Sequence, residues 1–323
     1  MSAPIKTRTF QQEYITEIGL GCWQLGADWG HLEDEAAVEI LNTAYQNGIR
    51  FFDTAAGYGG GRSERILGTF RQSLPEKDLF IATKIGRKEP TEAHLRRGVA
   101  ASSERLQMEA LDLIQLHCWT PEHLHQPVVW DTLRALKSEG KIRHFGASVE
   151  SVEEARYCMQ QDGLASLQII FNIFRQHPRD EFFEEASSKG IALIVRLPLA
   201  SGLLTGKFSA STTFGEDDHR HYNRDGAAFH VGETFCGIPF HKGLDLVETL
   251  QTILPNDPPL ATQAIRWILD HPAVTTVIPG TSSPQQVVQN VYPSSLSPLP
   301  AGKHEELAAF YRDQVLSHVR GQY

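Results

Sequence analysis

A short apolar run recurs along the chain, and each run is followed by a segment with the pattern of an amphipathic helix. Such runs, rich in Val, Ile, Leu and Phe, are typical of parallel strands that are buried on both faces. The runs occupy residues 18–21, 51–52, 79–82, 113–116, 142–147, 167–171, 191–195 and 274–278. A strand and a helix that alternate roughly every 30 residues predict βαβ crossovers in one parallel sheet.

The segments between the runs carry helix signals at their ends. In residues 34–47 the apolar side chains fall on one stripe, acidic residues begin the segment, and Gly48 follows it as a C-cap. Gly140 and Gly190 each stand just before a predicted strand in the same way. Eight strands with their crossovers predict a (β/α)8 TIM barrel, an α/β fold in which residues 1–323 form a single domain with long active-site loops. An open doubly wound sheet is the alternative.

Composition excludes several classes of protein. The chain of 323 residues is 41% hydrophobic and has a formal net charge of -9 without a run of basic residues, which is atypical of nucleic-acid binding. The four scattered cysteines contain no CxxC pair, which favours reduced thiols in a cytoplasmic protein. No signal peptide and no membrane-spanning stretch are evident. The oligomeric state cannot be inferred from the sequence.

Two segments do not follow the repeat. Residues 208–241 are polar and rich in Gly and His, which predicts a long loop that could close over a ligand. After Pro300, residues 305–319 have the pattern of one more helix. The HxH pairs His123/His125 and His219/His221 lack an evident third ligand, so we expect no metal site.

Polar side chains end or interrupt the predicted strands. They are Asp53, Lys84, His117, Ser148, Gln168 and Arg196. In β/α barrels the carboxyl ends of the strands surround the active site, so these side chains are expected to face one cavity.

Tyr58 follows the first of these strand ends within the same loop. A phenol is a weak acid in water, and a nearby ammonium such as that of Lys84 would stabilise its anion. Asp53 would hold Lys84 in place and keep it charged, and His117 could orient a substrate oxygen. The four residues would then form a proton donor for a carbonyl oxygen, with the hydride supplied by a nicotinamide.

These motifs, in this order and spacing, resemble the aldo-keto reductase family over residues 19–290. The matching segments are Gly19-Leu20-Gly21-Cys22-Trp23, Phe52-Asp53-Thr54-Ala55 with Tyr58, Ser63-Glu64, Ile81-Ala82-Thr83-Lys84, Leu111-Asp112-Leu113-Ile114-Gln115-Leu116-His117, Gly140-Lys141-Ile142-Arg143, Gly146-Ala147-Ser148, Leu203-Leu204-Thr205-Gly206-Lys207 and Ile278-Pro279-Gly280. The resemblance implies that Asp53, Tyr58, Lys84 and His117 are the catalytic tetrad of an NADP(H)-dependent enzyme that reduces aldehydes or ketones to alcohols.

The resemblance also implies an extended dinucleotide across the barrel mouth. The carboxamide would lie near Ser148, Gln168 and Asn172, with the nicotinamide ring against Arg196. The pyrophosphate would follow Leu199, Ser201 and Leu203, with Lys207 nearby. The adenosine end would meet Gly280, Thr281, Ser282, Gln286 and Asn290, beside a helix N-terminus that could bind a phosphate.

Two positions depart from the family pattern. Many relatives stack an aromatic side chain on the nicotinamide where this chain has Arg196, whose plane can also stack but adds charge. Many relatives have a basic residue where this chain has Ser282, and no Lys or Arg lies between Gly280 and Lys303. NADPH remains the cofactor that the resemblance implies, and these departures leave NADH as an alternative.

Trp23, Trp29 and Trp119 follow strand ends, and we expect Trp23 and Trp119 to contact a small carbonyl substrate. Two other functions remain open. A cofactor-sensing binding protein would bind the dinucleotide with little turnover, and a Schiff-base aldolase on the same fold would use Lys84 as a nucleophile.

Overall fold

The computed structural model describes residues 4–26, 32–76, 78–255 and 257–321. Its strands are β1 (Thr7–Phe10), β2 (Glu13–Thr16), β3 (Leu20–Gly21), β4 (Phe51–Asp53), β5 (Phe80–Gly86), β6 (Leu111–His117), β7 (Ile142–Ser148), β8 (Leu164–Ile170), β9 (Ala192–Arg196) and β10 (Val274–Val277). The helices are α1 (Asp34–Gln46), α2 (Arg62–Ser73), α3 (Glu92–Leu106), α4 (Pro121–Leu124), α5 (Pro127–Ser138), α6 (Val152–Cys158), α7 (His177–Ser188), α8 (His219–Tyr222), α9 (Phe240–Ile253), α10 (Leu260–Leu269), α11 (Pro284–Val291) and α12 (Ala301–Phe310).

Strands β3 to β10 form one eight-stranded parallel sheet in sequence order. Parallel bridges join Ile18 to Val277 and Gly21 to Gly280, so the first and last strands meet and the sheet closes. The prediction of a (β/α)8 barrel is confirmed, and the open sheet is excluded. The helix predicted over residues 34–47 is α1, which ends one residue earlier at Gln46, before Gly48 with its left-handed φ of 90°.

The barrel is closed at its amino end by the β1–β2 hairpin, in which the strands pair antiparallel. Phe10 of the hairpin packs on Phe80 with ring centroids 5.0 Å apart, and Phe80 stacks on Phe51. These rings belong to a buried apolar cluster that continues to Ala82 and Leu113. The interior at the amino end of the barrel is therefore filled by apolar side chains. The polar groups at the carboxyl ends of the strands face the open mouth.

The two irregular segments differ from their predictions. Residues 208–241 contain α8 and further short helical turns. Side-chain hydrogen bonds order this region: Asp218 caps α8, and Asn223 Oδ1 accepts from the backbone N–H of Ala228 and Phe229, both at 2.9 Å. Because these bonds leave no apolar periodicity, the sequence predicted a loop here. The helix predicted over residues 305–319 begins earlier, after Pro300, and is regular only to Phe310. In the described part of the chain, no helix has the length and apolarity needed to cross a membrane.

Candidate active site

Lys84 and Asp53 form a buried ion pair inside the barrel. Side chains alternate along β5, so Lys84 lies on the same side of the strand as Phe80 and Ala82. Its Nζ donates to Asp53 Oδ1 and, at 2.9 Å, to the carbonyl oxygen of Thr54. The exposed fractions of the Lys84 and Asp53 side chains are 0% and 3%, so bulk water does not screen the pair.

Two glutamines hold the other oxygen of Asp53. The Nε2 atoms of Gln115 and Gln168 donate to Asp53 Oδ2 at 3.2 and 2.7 Å. Gln168, which the sequence assigned to the cofactor, therefore has a partner within the tetrad, although it also lines the cavity. Gln115 was not predicted, but a polar residue two positions before His117 in an otherwise apolar run is a signal that could have identified it.

Tyr58 completes the group from the loop after β4. Lys84 Nζ lies 3.1 Å from the Tyr58 hydroxyl, to which it donates. The Tyr58 ring meets the His117 ring edge-on, with centroids 5.8 Å apart. Gly59 must be glycine in the turn that follows, because its φ is 56° and a Cβ there would lie 2.2 Å from the Gly26 carbonyl oxygen. The structure thus brings together all four residues of the predicted tetrad.

Burial governs the protonation of these groups. It raises the pKa of Tyr58 to about 12, although the Lys84 charge and hydrogen bond act in the opposite direction. Burial, with the positive charges of Lys84 and Arg196, holds the pKa of His117 well below its usual value. Burial alone would lower the pKa of Lys84, but Asp53 and Tyr58 outweigh it and raise that pKa. At neutral pH the site therefore contains a neutral phenol, a neutral imidazole and a charged ammonium.

Asp53, Tyr58 and His117 line a cavity of about 490 Å³ with two unlike walls, and Lys84 is buried behind them. One wall is aromatic: Trp23 stacks near Tyr58 with centroids 5.9 Å apart, and Phe229 lies edge-on to Trp23 at 6.1 Å. The other wall is polar and is formed by Arg87, Cys118, Glu150, Arg196 and Glu233.

The tryptophan predictions have different outcomes. Trp23 lies in the cavity wall as expected, whereas Trp29 lies outside the described residues. Trp119 does not line the cavity, so its predicted substrate contact is corrected. Cys118 has a left-handed φ of 51°, and the following Trp119 is buried with its Nε1 donating to the Ile85 carbonyl oxygen at 3.0 Å. Its position after the end of β6 predicted that Trp119 would face the cavity, but the backbone conformation at Cys118 turns the side chain into the core instead.

Arg196 joins the polar wall to the 208–241 segment. Its Nη2 lies 2.8 Å from Glu233 Oε1 and donates to the Val149 carbonyl oxygen at 2.9 Å, while its Nε donates to Ser148 Oγ at 3.3 Å. Ser148, predicted to bind the carboxamide, therefore supports Arg196 and is itself nearly inaccessible. Glu233 was missed by the sequence, because it lies in a segment without periodicity.

A second cavity of about 630 Å³ adjoins the first, and both are lined by Gln24, Leu197, Pro198 and Gly280. Most of the predicted cofactor residues line it, namely Leu199, Ser201, Lys207, Gly280, Thr281, Ser282, Gln286 and Asn290. Leu203 and Asn172 line neither cavity. Leu203 is buried, and the Asn172 amide donates to the Leu197 carbonyl oxygen at 2.8 Å and to Cys236 Sγ at 3.0 Å.

The joined cavities fit an extended dinucleotide. At their junction, Gln24 Oε1 is buried and has no hydrogen-bond partner among the described residues. A Cβ on Gly280 would lie 2.2 Å from Gln24 Nε2, so the glycine allows the Gln24 amide to lie against the backbone at this junction. At the far end, Ser283 caps α11 and the Gln286 Oε1 accepts from Ser282 N at 2.9 Å, which orders a polar loop at a helix N-terminus.

One group of possible metal ligands lies in the polar wall, where ligand atoms of Cys118, Glu150 and Glu233 fall within 4.8 Å of one another. Arg196 already places a positive charge there, 2.8 Å from Glu233 and 3.8 Å from Cys118 Sγ. We therefore assign no metal to this group, and the expectation of a metal-free mechanism stays a prediction.

A closed β/α barrel with a buried lysine–aspartate pair beside a tyrosine at its mouth is the arrangement that the resemblance to the aldo-keto reductase family implies. The model of the Aldo/keto reductase family matches residues 17–312, so the chain belongs to this family of NAD(P)H-dependent enzymes that reduce carbonyl compounds.

Curated relatives and solved structures agree with this assignment. The chain is 28% identical over 301 residues to an NADH-specific methylglyoxal reductase of Escherichia coli (strain K12), covering 86% of this chain and 89% of the relative. An aldo-keto reductase from Bacillus halodurans in its holo form has a TM-score of 0.77 at 26% identity, covering 95% and 96% of the two chains. A glycerol dehydrogenase from Gluconobacter oxydans has a TM-score of 0.78 at 26% identity, covering 96% of each chain.

We expect Glu150 to make the stability of the protein depend on pH. Burial, with the nearby Glu233, raises the pKa of Glu150 to about 7 from the ordinary value of 4.5. The folded state keeps this proton where the unfolded state has lost it, so the group increasingly favours unfolding as pH rises from 4.5 through 7. Glu150→Gln should therefore raise the melting temperature at about pH 8, and the gain should shrink towards pH 4.5.

Thermal unfolding at both pH values measures this difference. Glu248→Gln, an exposed position on α9, serves as the matched control and should show no such trend. A gain for Glu150→Gln that is equal at both pH values would contradict the assignment.

Proposed function

We propose that this protein is an NADP(H)-dependent reductase that converts aldehydes or ketones to alcohols, with Tyr58 as the general acid. The observation that carries the proposal is the chain of contacts from Asp53 through Lys84 to the Tyr58 hydroxyl at the wall of the cavity. A bound nicotinamide would supply the hydride, for which no side chain has the chemistry.

Tyr58 would donate its proton to the carbonyl oxygen as that oxygen becomes an alkoxide, which is a stronger base than a phenolate. The Lys84 ammonium hydrogen-bonds the Tyr58 oxygen and would stabilise the phenolate that remains. Asp53, held by Gln115 and Gln168, keeps Lys84 charged and in place. Neutral His117, edge-on to Tyr58, would orient the carbonyl.

The state of Lys84 argues against the aldolase alternative. A Schiff-base nucleophile must be a neutral amine, and enzymes obtain one by lowering the lysine pKa. Here Asp53 and Tyr58 raise the pKa of Lys84 despite its burial.

A measurement of turnover distinguishes the reductase from the cofactor-sensing binding protein. A panel of aldehydes and ketones should cause NADPH oxidation, whereas tight cofactor binding without turnover on any of them would favour a sensor.

We propose NADPH as the cofactor, and NADH remains the alternative. Among the described residues that line the second cavity, Lys207 and Arg220 are the cations, and Arg220 is paired with Asp218. At the adenosine end, the 2′-phosphate would rely on the N-terminus of α11 and on the hydroxyls of Thr281 and Ser282. This neutral site should give a modest preference, in keeping with a relative named as NADH-specific.

Ser282→Arg should therefore raise the preference for NADPH over NADH, measured as a ratio of kcat/KM values, by roughly tenfold, because it adds a charge-assisted contact to the 2′-phosphate. Ser282 is exposed, so the longer side chain has room. Ser188→Arg, at the exposed end of α7, is the matched control. An unchanged ratio in the Ser282 variant would show that the 2′-phosphate does not bind there.

The remaining features of the proposal concern the protein as a whole. We propose that residues 1–323 act as a single barrel domain, which is supported by the closed sheet and the continuous core around it. We propose a cytoplasmic location, supported by the four free cysteines. The proposed partner is a small carbonyl compound, with no role for nucleic acid or membrane.

A further inference from the structure

The last described residues of the chain, which form its tail, lie against residues 224–237, a stretch that we call the active-site turn. Arg320 Nε donates to the Gly237 carbonyl oxygen at 2.7 Å, and its Nη2 donates to the Arg224 carbonyl oxygen at 3.1 Å. Its Nη1 donates to Asp225 Oδ1 at 2.7 Å, but this carboxylate is 76% exposed, so the pair contributes little by itself. The two carbonyl contacts thus join both ends of the turn through one guanidinium.

The backbone of the tail also fits closely against the active-site turn. Gly237 has a left-handed φ of 80°, and a Cβ there would lie 2.3 Å from the Arg320 carbonyl oxygen. Gly321 has a φ of 88°, and a Cβ there would lie 2.8 Å from His230 Cε1 and 2.8 Å from Val231 Cγ1. Glycine permits both backbone conformations and both close approaches. The tail is therefore fitted to the turn by its backbone as well as by one side chain.

Other residues of the active-site turn form part of the cavity walls. Phe229 lines the first cavity and meets Trp23 edge-on, with ring centroids 6.1 Å apart. Glu233 lines the same cavity and pairs with Arg196 at 2.8 Å. The hydroxyl of Ser201, a residue of the second cavity, donates to the Glu233 carbonyl oxygen at 3.2 Å. The tail lines neither cavity, so it can affect the site only through this turn.

Hydrogen bonds connect the ends of the active-site turn to Phe229 in its middle. Asn223, which directly precedes the turn, is buried, and its Oδ1 accepts from the backbone N–H of Ala228 and Phe229, both at 2.9 Å. Its Nδ2 donates to Thr234 Oγ1 at 3.1 Å. These bonds tie the middle of the turn to the end that Arg320 holds. Loss of the Arg320 contacts is therefore expected to displace Phe229 as well as the ends of the turn.

We propose that Arg320 is a positioning residue for carbonyl reduction, which keeps the active-site turn in place so that Phe229 and Glu233 form the wall of the substrate cavity. The inference rests on the proposed function and adds to it a residue outside both cavities. When the turn is in place for a smaller fraction of the time, the apparent affinity for substrate falls by that fraction. Saturating substrate restores the closed arrangement, and Lys84 keeps its contact with Tyr58. Removal of the Arg320 side chain should therefore raise KM and leave kcat nearly unchanged.

Steady-state kinetics with NADPH, and with benzaldehyde as the carbonyl probe, test this split. Arg320→Ala should raise KM about tenfold, because hydrogen bonds from a charged group are lost, and should keep kcat within about twofold. Arg320→Lys, which keeps the charge without the planar fork, should give an intermediate KM. Arg312→Ala, at an exposed arginine that pairs with the adjacent Asp313, is the matched control and should keep both constants. An unchanged KM in Arg320→Ala, or a lower kcat at an unchanged KM, would overturn the inference.

Proteolysis of the folded protein tests the contact independently of turnover. Trypsin can cleave after Arg224, whose carbonyl oxygen Arg320 holds, only when the active-site turn opens. Cleavage at this bond, followed by mass spectrometry, should be about tenfold faster in Arg320→Ala than in the wild type and in Arg312→Ala, at similar melting temperatures. Equal cleavage rates would overturn the inference even if KM changed. A wild type without turnover would count against the proposed function, whereas the cleavage rates would still show whether Arg320 holds the turn.

Discussion

Tyr58→Phe is expected to lower kcat for carbonyl reduction by roughly a thousandfold, within the range for loss of a general acid. The substitution removes only the hydroxyl, which is the group that Lys84 contacts at 3.1 Å. The ring keeps its stacking on Trp23 and its edge contact with His117. Because Tyr58 lines the first cavity but not the second, the dissociation constant of NADPH should change little.

Steady-state kinetics and fluorescence titration measure these two quantities. Tyr157→Phe on α6, where the phenol lies outside both cavities, is the matched control and should retain wild-type kcat. A Tyr58 variant that keeps turnover would refute the role of the phenol, and one that loses NADPH binding as well would indicate a structural effect.

Lys84→Met is expected to abolish turnover and to lower the free energy of unfolding by about 3–5 kcal/mol, the usual cost of leaving one member of a buried ion pair uncompensated. The Asp53 side chain is 3% exposed and, among the described residues, would keep the amides of Gln115 and Gln168 as its remaining side-chain partners. Adding Asp53→Asn removes the stranded charge, so the double variant should recover part of the lost stability.

Denaturant unfolding of the two single variants and the double variant forms a double-mutant cycle that isolates the pair. Lys303→Met breaks an exposed ion pair with Glu306, and it should cost under about 1 kcal/mol. If the Lys84 and Asp53 effects were simply additive, the two side chains would not be coupled as the geometry requires.

The sequence predicted the barrel because apolar runs, which are typical of strands buried on both faces, recur in regular alternation with amphipathic helices. It also predicted that Asp53, Lys84 and His117 would lie together, because polar residues at the carboxyl ends of barrel strands face the mouth, whereas the role of Tyr58 was implied by the resemblance to the family. Gln115 was missed because it lies inside β6 rather than at its end, and a strand buried on both faces does not reveal which positions face inwards. Structure was needed to place Lys84 and Gln115 on the interior side.

The sequence did not predict which segments, distant along the chain, contact each other. Arg196 at the end of β9 pairs with Glu233 in the 208–241 segment, which has no apolar periodicity. No local sequence pattern therefore predicts this pair. The burial of Trp119 depends on the left-handed backbone at Cys118, a conformation that a non-glycine residue adopts only under tertiary constraint. Most of the residues predicted to bind the cofactor lie together in the second cavity because they follow one another along two chain segments, residues 199–207 and 280–290.

We propose that Tyr58, held by Lys84 and Asp53, protonates a carbonyl during reduction. A single-turnover experiment tests it most directly: NADPH-loaded protein is mixed rapidly with an aldehyde, and nicotinamide absorbance is followed for the wild type and for Tyr58→Phe. We predict a rapid loss of absorbance with stoichiometric alcohol in the wild type, and a loss slower by roughly a thousandfold in the variant. Equal rates in the two proteins would contradict the role of Tyr58 as proton donor, and no alcohol from the wild type would contradict the reductase function.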